Sequence, residues 1–367
     1  MYDAIVVGAR CAGSPTAMLL ARRGYRVLLV DRAAFPSDTM STHFIQRPGM
    51  ARLKRWGLLE AVGATNCPAI EQLTLSFGDM KLVPPRPPAA PDAPDFAYCP
   101  RRTVLDKILV DAAVAAGAEL RERFPVREIV FEGDRVVGIR GGSTAAPVEE
   151  RARIVIGADG LHSTVARGAG APEYDAQPSF TFGYYTYWSG LPGDGAELYF
   201  LEGAGILVFP TNDGLTCIGV GGPNDQFHQF RSDIDRHYRQ YLELVPSLAE
   251  RMRDARREAR YIGTAEQRNF FRRPHGPGWA LVGDAGYHRD FITGLGISDA
   301  FRDAEYLTDA IDDGLSGRRP LEEALADYER RRNEAARPLY EFTCKLASGQ
   351  VPSPEMWMQF GLALSKY

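Results

Sequence analysis

Ala4-Ile5-Val6-Val7-Gly8-Ala9-Arg10-Cys11-Ala12-Gly13-Ser14-Pro15 carries the reading of the fold. The β-branched run at 4–7 predicts a buried strand, and the glycines after it predict a tight turn. A helical stretch follows over Thr16–Arg23 and Gly24 stops it; Tyr25–Val30 predicts a second strand, which ends at Asp31-Arg32. Strand, turn, helix and strand within about 30 residues, closed by an acid about 20 residues beyond the glycines, make a dinucleotide-binding βαβ unit. Free N–H groups at the helix start, reinforced by the helix dipole, attract a pyrophosphate. Gly8 allows the turn, Gly13 lets the helix pack closely on the strand, and Pro15 falls in the first helical turn, where an N–H is spare. Asp31 is placed to accept hydrogen bonds from ribose hydroxyls. The middle glycine of the pattern is replaced by Arg10, whose side chain either turns away from the ligand or helps to neutralise its phosphates.

Two further stretches repeat the logic of an acid at the carboxyl end of a strand, where parallel sheets bind ligands. Ile154-Val155-Ile156-Gly157-Ala158-Asp159-Gly160 runs into a helix, and Ala280-Leu281-Val282-Gly283-Asp284-Ala285-Gly286 is followed by Gly294-Leu295-Gly296-Ile297, which opens another. Taken alone, Asp159 and Asp284 could each be a turn acid. With these three motifs in order, the chain resembles the FAD-dependent group A monooxygenases, the para-hydroxybenzoate hydroxylase-like superfamily. That superfamily also holds geranylgeranyl reductase-type enzymes and flavin-dependent halogenases. The resemblance spans residues 1–345.

It implies an α/β fold: a Rossmann-type FAD-binding domain (residues 1–72, 98–175 and 261–317), an inserted antiparallel β-sheet substrate domain (73–97 and 176–260) and a C-terminal helical segment (318–367). It implies that FAD is held by the loop of Gly8, Arg10, Ala12 and Gly13, by Asp31 and Arg32 at the adenosine ribose, and by Val126 at adenine. Arg102 matches a position at the phosphate and ribityl chain. Asp159 and Gly160 match the Asp-Gly motif, Gly283 and Asp284 the ribityl-binding acid, and Gly294, Leu295, Gly296 and Ile297 the helix start beside the flavin's pyrimidine end. Thr42-His43-Phe44-Ile45-Gln46 matches the segment along the ring's edge. NAD(P)H is implied as a co-substrate that binds transiently, since the chain carries one dinucleotide fingerprint. The implied reaction is hydroxylation or epoxidation of an aromatic or polycyclic small molecule by O₂ through a flavin hydroperoxide, plausible in secondary metabolism. Its rivals are reduction of a carbon–carbon double bond and a flavin-binding module without turnover.

Two departures stand out. Where the family continues its Gly-Asp motif with Ala-Ala-His and then proline, this chain has Tyr287 and Phe291 at two of those positions. The halogenases' Trp-x-Trp-x-Ile-Pro signature is absent, with only a faint likeness in Trp188-Ser189-Gly190-Leu191-Pro192, so a halogenase is not expected. Flavin chemistry requires no protein nucleophile, but a general base could deprotonate a phenolic substrate, with His43, Tyr185, Tyr187 and His288 as candidates. Phe182, Tyr184 and Phe291 are candidates for the substrate pocket, although aromatics alternating on a sheet are more often core.

Further along, 80–97 is proline-rich, with prolines at 84, 85, 87, 88, 91 and 94, and predicts a surface excursion. Strands are predicted at 197–201, 205–210 and 215–220, with Asn212-Asp213-Gly214 as the hairpin between the last two. His228–Arg260 reads as one basic, salt-bridged helix, and Ile297–Ile311 and Leu321–Leu346 as long helices, the last with Arg330-Arg331-Arg332 exposed. Met356, Trp357, Met358 and Phe360 recur at helical spacing in a tail that packs on the domain or serves a dimer.

The chain has 367 residues, 45% hydrophobic, with 43 basic and 47 acidic side chains. This near balance offers no footprint for nucleic acid. No apolar run reaches the ~18–20 residues of a membrane span. Five cysteines without a C-x-x-C pair and six histidines without ligand spacing point to reduced thiols and no metal centre. With no basic leader ahead of the first strand, a cytoplasmic monomer or homodimer is expected.

Overall fold

The computed structural model describes residues 1–78, 80–83, 94–143, 147–191, 193, 195–350 and 353–365. Five parallel strands form its centre, in the order Trp279–Leu281, Pro147–Gly157, Tyr2–Val7, Val27–Val30 and Glu119–Arg121. Both faces are covered, which is why these strands read as continuous apolar runs. Ala4 and Val6 face a core shared with the helices Gly13–Arg22, Arg102–Ala115 and Gly296–Leu315. Ile5 and Val7 face the opposite core, closed by Ile129, Val136 and Ile139 of the antiparallel strands Val126–Glu132 and Arg135–Gly142. Ile5, Val6, Leu28 and Leu29 are fully buried, each stabilising the sheet by roughly 1.5–3 kcal/mol.

The second sheet runs Arg256–Arg257, Thr181–Ser189, Thr216–Pro223, Ala204–Pro210, Ala196–Leu201, Leu73–Phe77 and Met80–Leu82, with Ile262–Thr264 also on the second strand. It is antiparallel except between Leu73–Phe77 and Ala196–Leu201, which pair in parallel. The turn Asn212–Gly214 joins its hairpin, with Asp213 and Gly214 left-handed. The chain returns to the first unit through bridges at Ile70–Ala97 and Ile45–Tyr98. Within the proline-rich excursion, 84–93 lie outside the described residues, while Met80–Leu82 form the sheet's edge strand.

The single helix expected over 228–260 is instead three short helices, Phe227–Ser232, Ile234–Glu243 and Pro246–Arg251. Asp233 breaks the first from the second and caps the second through its side chain; Pro246 starts the third. Arg256 and Arg257 leave the helical region to pair with Ser189 and Trp188 at the sheet edge.

The helix Leu321–Ala347 packs along Gly296–Leu315. Arg330 and Arg331 are at its surface, but Arg332 is fully buried, contrary to the expected exposed triplet. Its guanidinium donates to the carbonyls of Gly286 (2.9 Å) and Arg272 (3.0 Å). The C-terminal helix Pro354–Ser365 rests on this one through Trp357 against Phe342, 4.7 Å between ring centroids, and leaves Met358 exposed. The side chain of Phe360 is outside the described residues. No described helix is long and apolar enough to cross a membrane.

Candidate flavin and substrate site

The three glycine motifs meet at the carboxyl ends of the parallel strands. A Cβ on Gly8 would lie 2.4 Å from the Ala158 carbonyl oxygen, and one on Gly13 only 1.7 Å from the Gly8 carbonyl oxygen. A Cβ on Gly283 would lie 2.7 Å from that of Ala12. These approaches leave room for glycine alone and bring the loops at 8–13, 158–160 and 283–284 into one cradle. Gly8, at φ +102°, also needs the conformation that glycine adopts freely.

Asp31 is nearly buried and binds its own loops: one oxygen accepts from Ala9 N–H (2.7 Å), the other from Ala33 N–H (2.8 Å). Arg32 beside it is exposed. The 123–126 segment is tied to the same corner by Phe124 N–H to Asp31 O and Arg123 N–H to Ala33 O, which places Val126 near Asp31. Asp159 caps the helix Thr164–Gly168, accepting from Ser163 Oγ (2.5 Å) and Thr164 N–H (2.6 Å). The residue is half-buried, and desolvation of its engaged carboxyl raises the pKa. Gly160, left-handed, follows at the rim.

Arg10 turns from the glycine loop toward Asp106 (2.6 Å) and Ser37 Oγ (3.0 Å). Arg102 makes two bonds to the same carboxylate, 2.9 and 3.0 Å, and Cys11 Sγ lies 3.5 Å from it. One fully buried Asp106 thus holds two arginines under the phosphate-binding loop. Sequence reasoning missed it, although Arg102 and Asp106 stand at the i, i+4 spacing of a helical ion pair.

Asp284 is exposed and, among the described residues, has no hydrogen-bond partner. Behind it the loop is fixed from below: Tyr328 Oη donates to Leu281 O (2.9 Å), Arg272 to Ala285 O (2.9 Å) and Arg332 to Gly286 O. The helix beginning at Gly296 makes its first turn bond from Asp299 N–H to Leu295 O and has no side-chain cap, so the N–H groups of Gly296, Ile297 and Ser298 have no acceptor within the helix. Gln46 Nε2 donates to Thr293 O (3.0 Å), and a Cβ on left-handed Gly294 would lie 3.7 Å from Phe44, so the 42–46 segment runs beside this helix start. A glycine cradle, a helix start at Gly296 with free N–H groups and a carboxylate without a hydrogen-bond partner suit the phosphates and hydroxyls of a dinucleotide such as FAD.

The strand Thr181–Ser189 presents two faces. Phe182, Tyr184 and Trp188 pack into the core beneath the 227–251 helices, Tyr184 stacked on Phe230 at 5.1 Å. Phe182 and Tyr184 therefore do not line the side that faces the cofactor loops; strand alternation sends them the other way. Gly183, Tyr185 and Tyr187 form the opposite face. The Phe291 ring lies against Gly183, where a Cβ would approach it to 2.5 Å. Tyr187 Oη is 2.7 Å from His43 Nε2, Tyr185 Oη donates to Thr39 O (3.2 Å), and both rings stand edge-on to the imidazole.

His43 is fully buried, left-handed at φ 64°, and its Nδ1 has no partner among the described residues. Burial, with the charges of Arg102 and Arg101 adding to it, pulls its pKa down to about 3, so the ring is neutral. Burial pushes both tyrosines up, keeping them protonated. His288 stands apart from this group. Its Nδ1 is bonded to the Arg268 carbonyl and its ring stacks on Phe270, a structural anchor on the small sheet of 173–177, 269–272 and 287–288.

Known proteins place this architecture in a class. The family described as "FAD binding domain" matches residues 1–343, and the chain belongs to it: it is an FAD-dependent oxidoreductase of the group A monooxygenase family. Among curated relatives, the digeranylgeranylglycerophospholipid reductase 2 of Methanopyrus kandleri is 28% identical over 314 residues, covering 81% of this chain and 73% of its own. The digeranylgeranylglycerophospholipid reductase of Methanosarcina acetivorans is 25% identical, over 91% and 81%. The fold is shared with the myxobacterial chondrochloren halogenase (TM-score 0.85, 22% identity, 100% of this chain and 90% of that one). It is shared too with PqsL, "a probable FAD-dependent monooxygenase from Pseudomonas aeruginosa" (TM-score 0.81, 19% identity, 99% of each chain).

Proposed function

We propose that this protein is an NAD(P)H-consuming monooxygenase that hydroxylates or epoxidises an aromatic or polycyclic small molecule. The observation that carries the reading is the buried pair Tyr185 and Tyr187 packed against His43, with half-buried Phe291 lying on Gly183 of the same strand face, on the side of the inserted sheet toward the cofactor loops. Bound FAD, once reduced, supplies the activation of O₂. The chain does the rest. The helix start at Gly296–Ser298 favours negative charge on whatever lies in front of it, and the glycine cradle fixes the dinucleotide's length. The aromatic face excludes water and presents flat apolar surface to a ring substrate. His43, held neutral, acts by position: its Nε2 fixes the Tyr187 hydroxyl at 2.7 Å, and its lowered pKa makes it a poor proton acceptor.

The relatives' names favour a second reading, reduction of a carbon–carbon double bond. The two part under ¹⁸O₂: labelled product with NAD(P)H consumption supports oxygen insertion, while an unlabelled, reduced product overturns it. The candidate FAD contacts at Gly8, Ala12, Gly13, Asp31, Arg32, Arg102, Val126, Gly160, Gly283, Asp284 and Gly294–Ile297 belong to this proposal.

A further inference from the structure

We infer that Arg101 anchors an anionic group, a carboxylate or phenolate, of an aromatic substrate. The inference deepens the reading above and rests on it for the location of the substrate. Arg101 sits where the two sheets join. Its N–H donates to Asn212 Oδ1 (2.8 Å), the Asn212 amide donates to Thr65 O and Oγ1 (2.8 Å each), and Thr211 Oγ1 donates to Cys99 O (2.6 Å). The hairpin of the second sheet thus clamps the backbone from which this side chain springs.

The guanidinium lies over the Tyr187 ring, 4.9 Å from its centroid, beside the tyrosine that holds His43. The neighbouring arginine is satisfied, since Arg102 takes both oxygens of Asp106. Arg101 is not. Its Nε is buried without an acceptor among the described residues, and its ion pair with Asp213 is long, 3.9 Å, to a carboxylate that is 64% exposed. Such a pair contributes little, whereas a guanidinium partly removed from water needs acceptors. The other acid acting on these tyrosines, Asp38, is also exposed and therefore screened. Neutral His43 and the protonated tyrosines bring no negative charge. A ring lying against this aromatic face with an anionic substituent turned to Arg101 would supply the missing acceptors in the fork geometry that arginine favours.

The test uses FAD-loaded protein, with 2-naphthoate and its neutral partner 2-naphthamide as probes, read by flavin difference spectra and calorimetry. Naphthoate is expected to bind about tenfold or more tightly than naphthamide, the usual scale of a hydrogen bond to a charged group. Arg101→Gln or Arg101→Met should abolish that preference with FAD content unchanged. Arg101→Lys should keep part of it, and Asp213→Asn should sharpen it. Equal binding of the two probes, failure of naphthoate to bind, or an undiminished preference in both neutral variants overturns the proposal. Incorporation of ¹⁸O from ¹⁸O₂ into product, measured on the same samples with NAD(P)H added, separates the two readings. A charge preference without oxygen insertion upholds the anchor and removes the monooxygenase; oxygen insertion without a charge preference does the reverse.

Discussion

Replacing Gly13 by alanine tests the cradle at its tightest point. The added methyl would stand 1.7 Å from the Gly8 carbonyl oxygen, and a real Cβ contact requires at least 3.0 Å. Gly8 cannot give way cheaply. Its N–H is bonded to Val30 O (2.8 Å), and on its other side the Ala158 carbonyl is already in close approach. The helix start must therefore lift off the strand. Overpacking of this kind costs about 1–3 kcal/mol, which in a chain of this size lowers the apoprotein Tm by a few degrees. The effect on cofactor binding is larger. Two N–H groups lost from a pyrophosphate, at ~1.5–3 kcal/mol each for charged acceptors, weaken FAD by about 100-fold or more. Titrating apoprotein with FAD and following the flavin's fluorescence measures this directly. Gly205→Ala is the control, because a Cβ there meets only the Tyr199 carbonyl at an ordinary 3.8 Å. If Gly13→Ala takes up FAD within threefold of the parent affinity, the convergence of the loops does not hold the dinucleotide.

Asp106→Asn leaves Arg102, and with it Arg10, without its buried carboxylate; by the usual penalty for a broken buried pair, unfolding in urea should show a loss of about 3–5 kcal/mol. Asp284→Ala should leave the apoprotein's melting within the ±0.5 kcal/mol typical of surface changes while weakening FAD about tenfold, so a coupled loss of both would refute its free carboxylate. His43 titrates near 6.5 in the unfolded chain and near 3 in the fold, so the unfolded state binds the extra proton and the fold loses stability as pH falls from about 6.5. His43→Asn keeps a residue tolerant of the left-handed backbone and removes that titration. Between pH 6.5 and 4.5 its denaturant stability should fall by roughly 2 kcal/mol less than the parent's, and equal slopes would show that the imidazole is not buried neutral.

The glycine loop was legible because its chemistry is local: each glycine's role follows from neighbours within one βαβ unit. The Gly-Asp and Asp-Gly motifs were legible as strand ends, but what each acid does was not. Asp159 and Asp284 have the same local signature, and only tertiary structure decides that one caps a helix while the other is left open. The aromatic strand shows the same limit. Its alternation separates Phe182 and Tyr184 from Tyr185 and Tyr187, yet the sequence does not say which face meets the helices. The break at Asp233 and the proline start at Pro246 were readable cap signals, overridden by the strongly helical composition around them. The buried Arg332 was hidden because a run of three arginines reads as solvated, while a helix rotates successive residues by about 100° and turned one of them inward.

That inward arginine fixes the order of events during synthesis. The dinucleotide loop emerges within the first few dozen residues, yet the turn carrying Asp284 is braced by Tyr328 and Arg332, made some forty-five residues after it. A nascent chain can thus shape the seat for the adenosine end long before the opposite wall of the groove is firm. On the contacts proposed above, capture of the coenzyme is a late event, and a ribosome-stalled fragment ending before the Leu321–Ala347 helix is expected to hold the nucleotide by one end only.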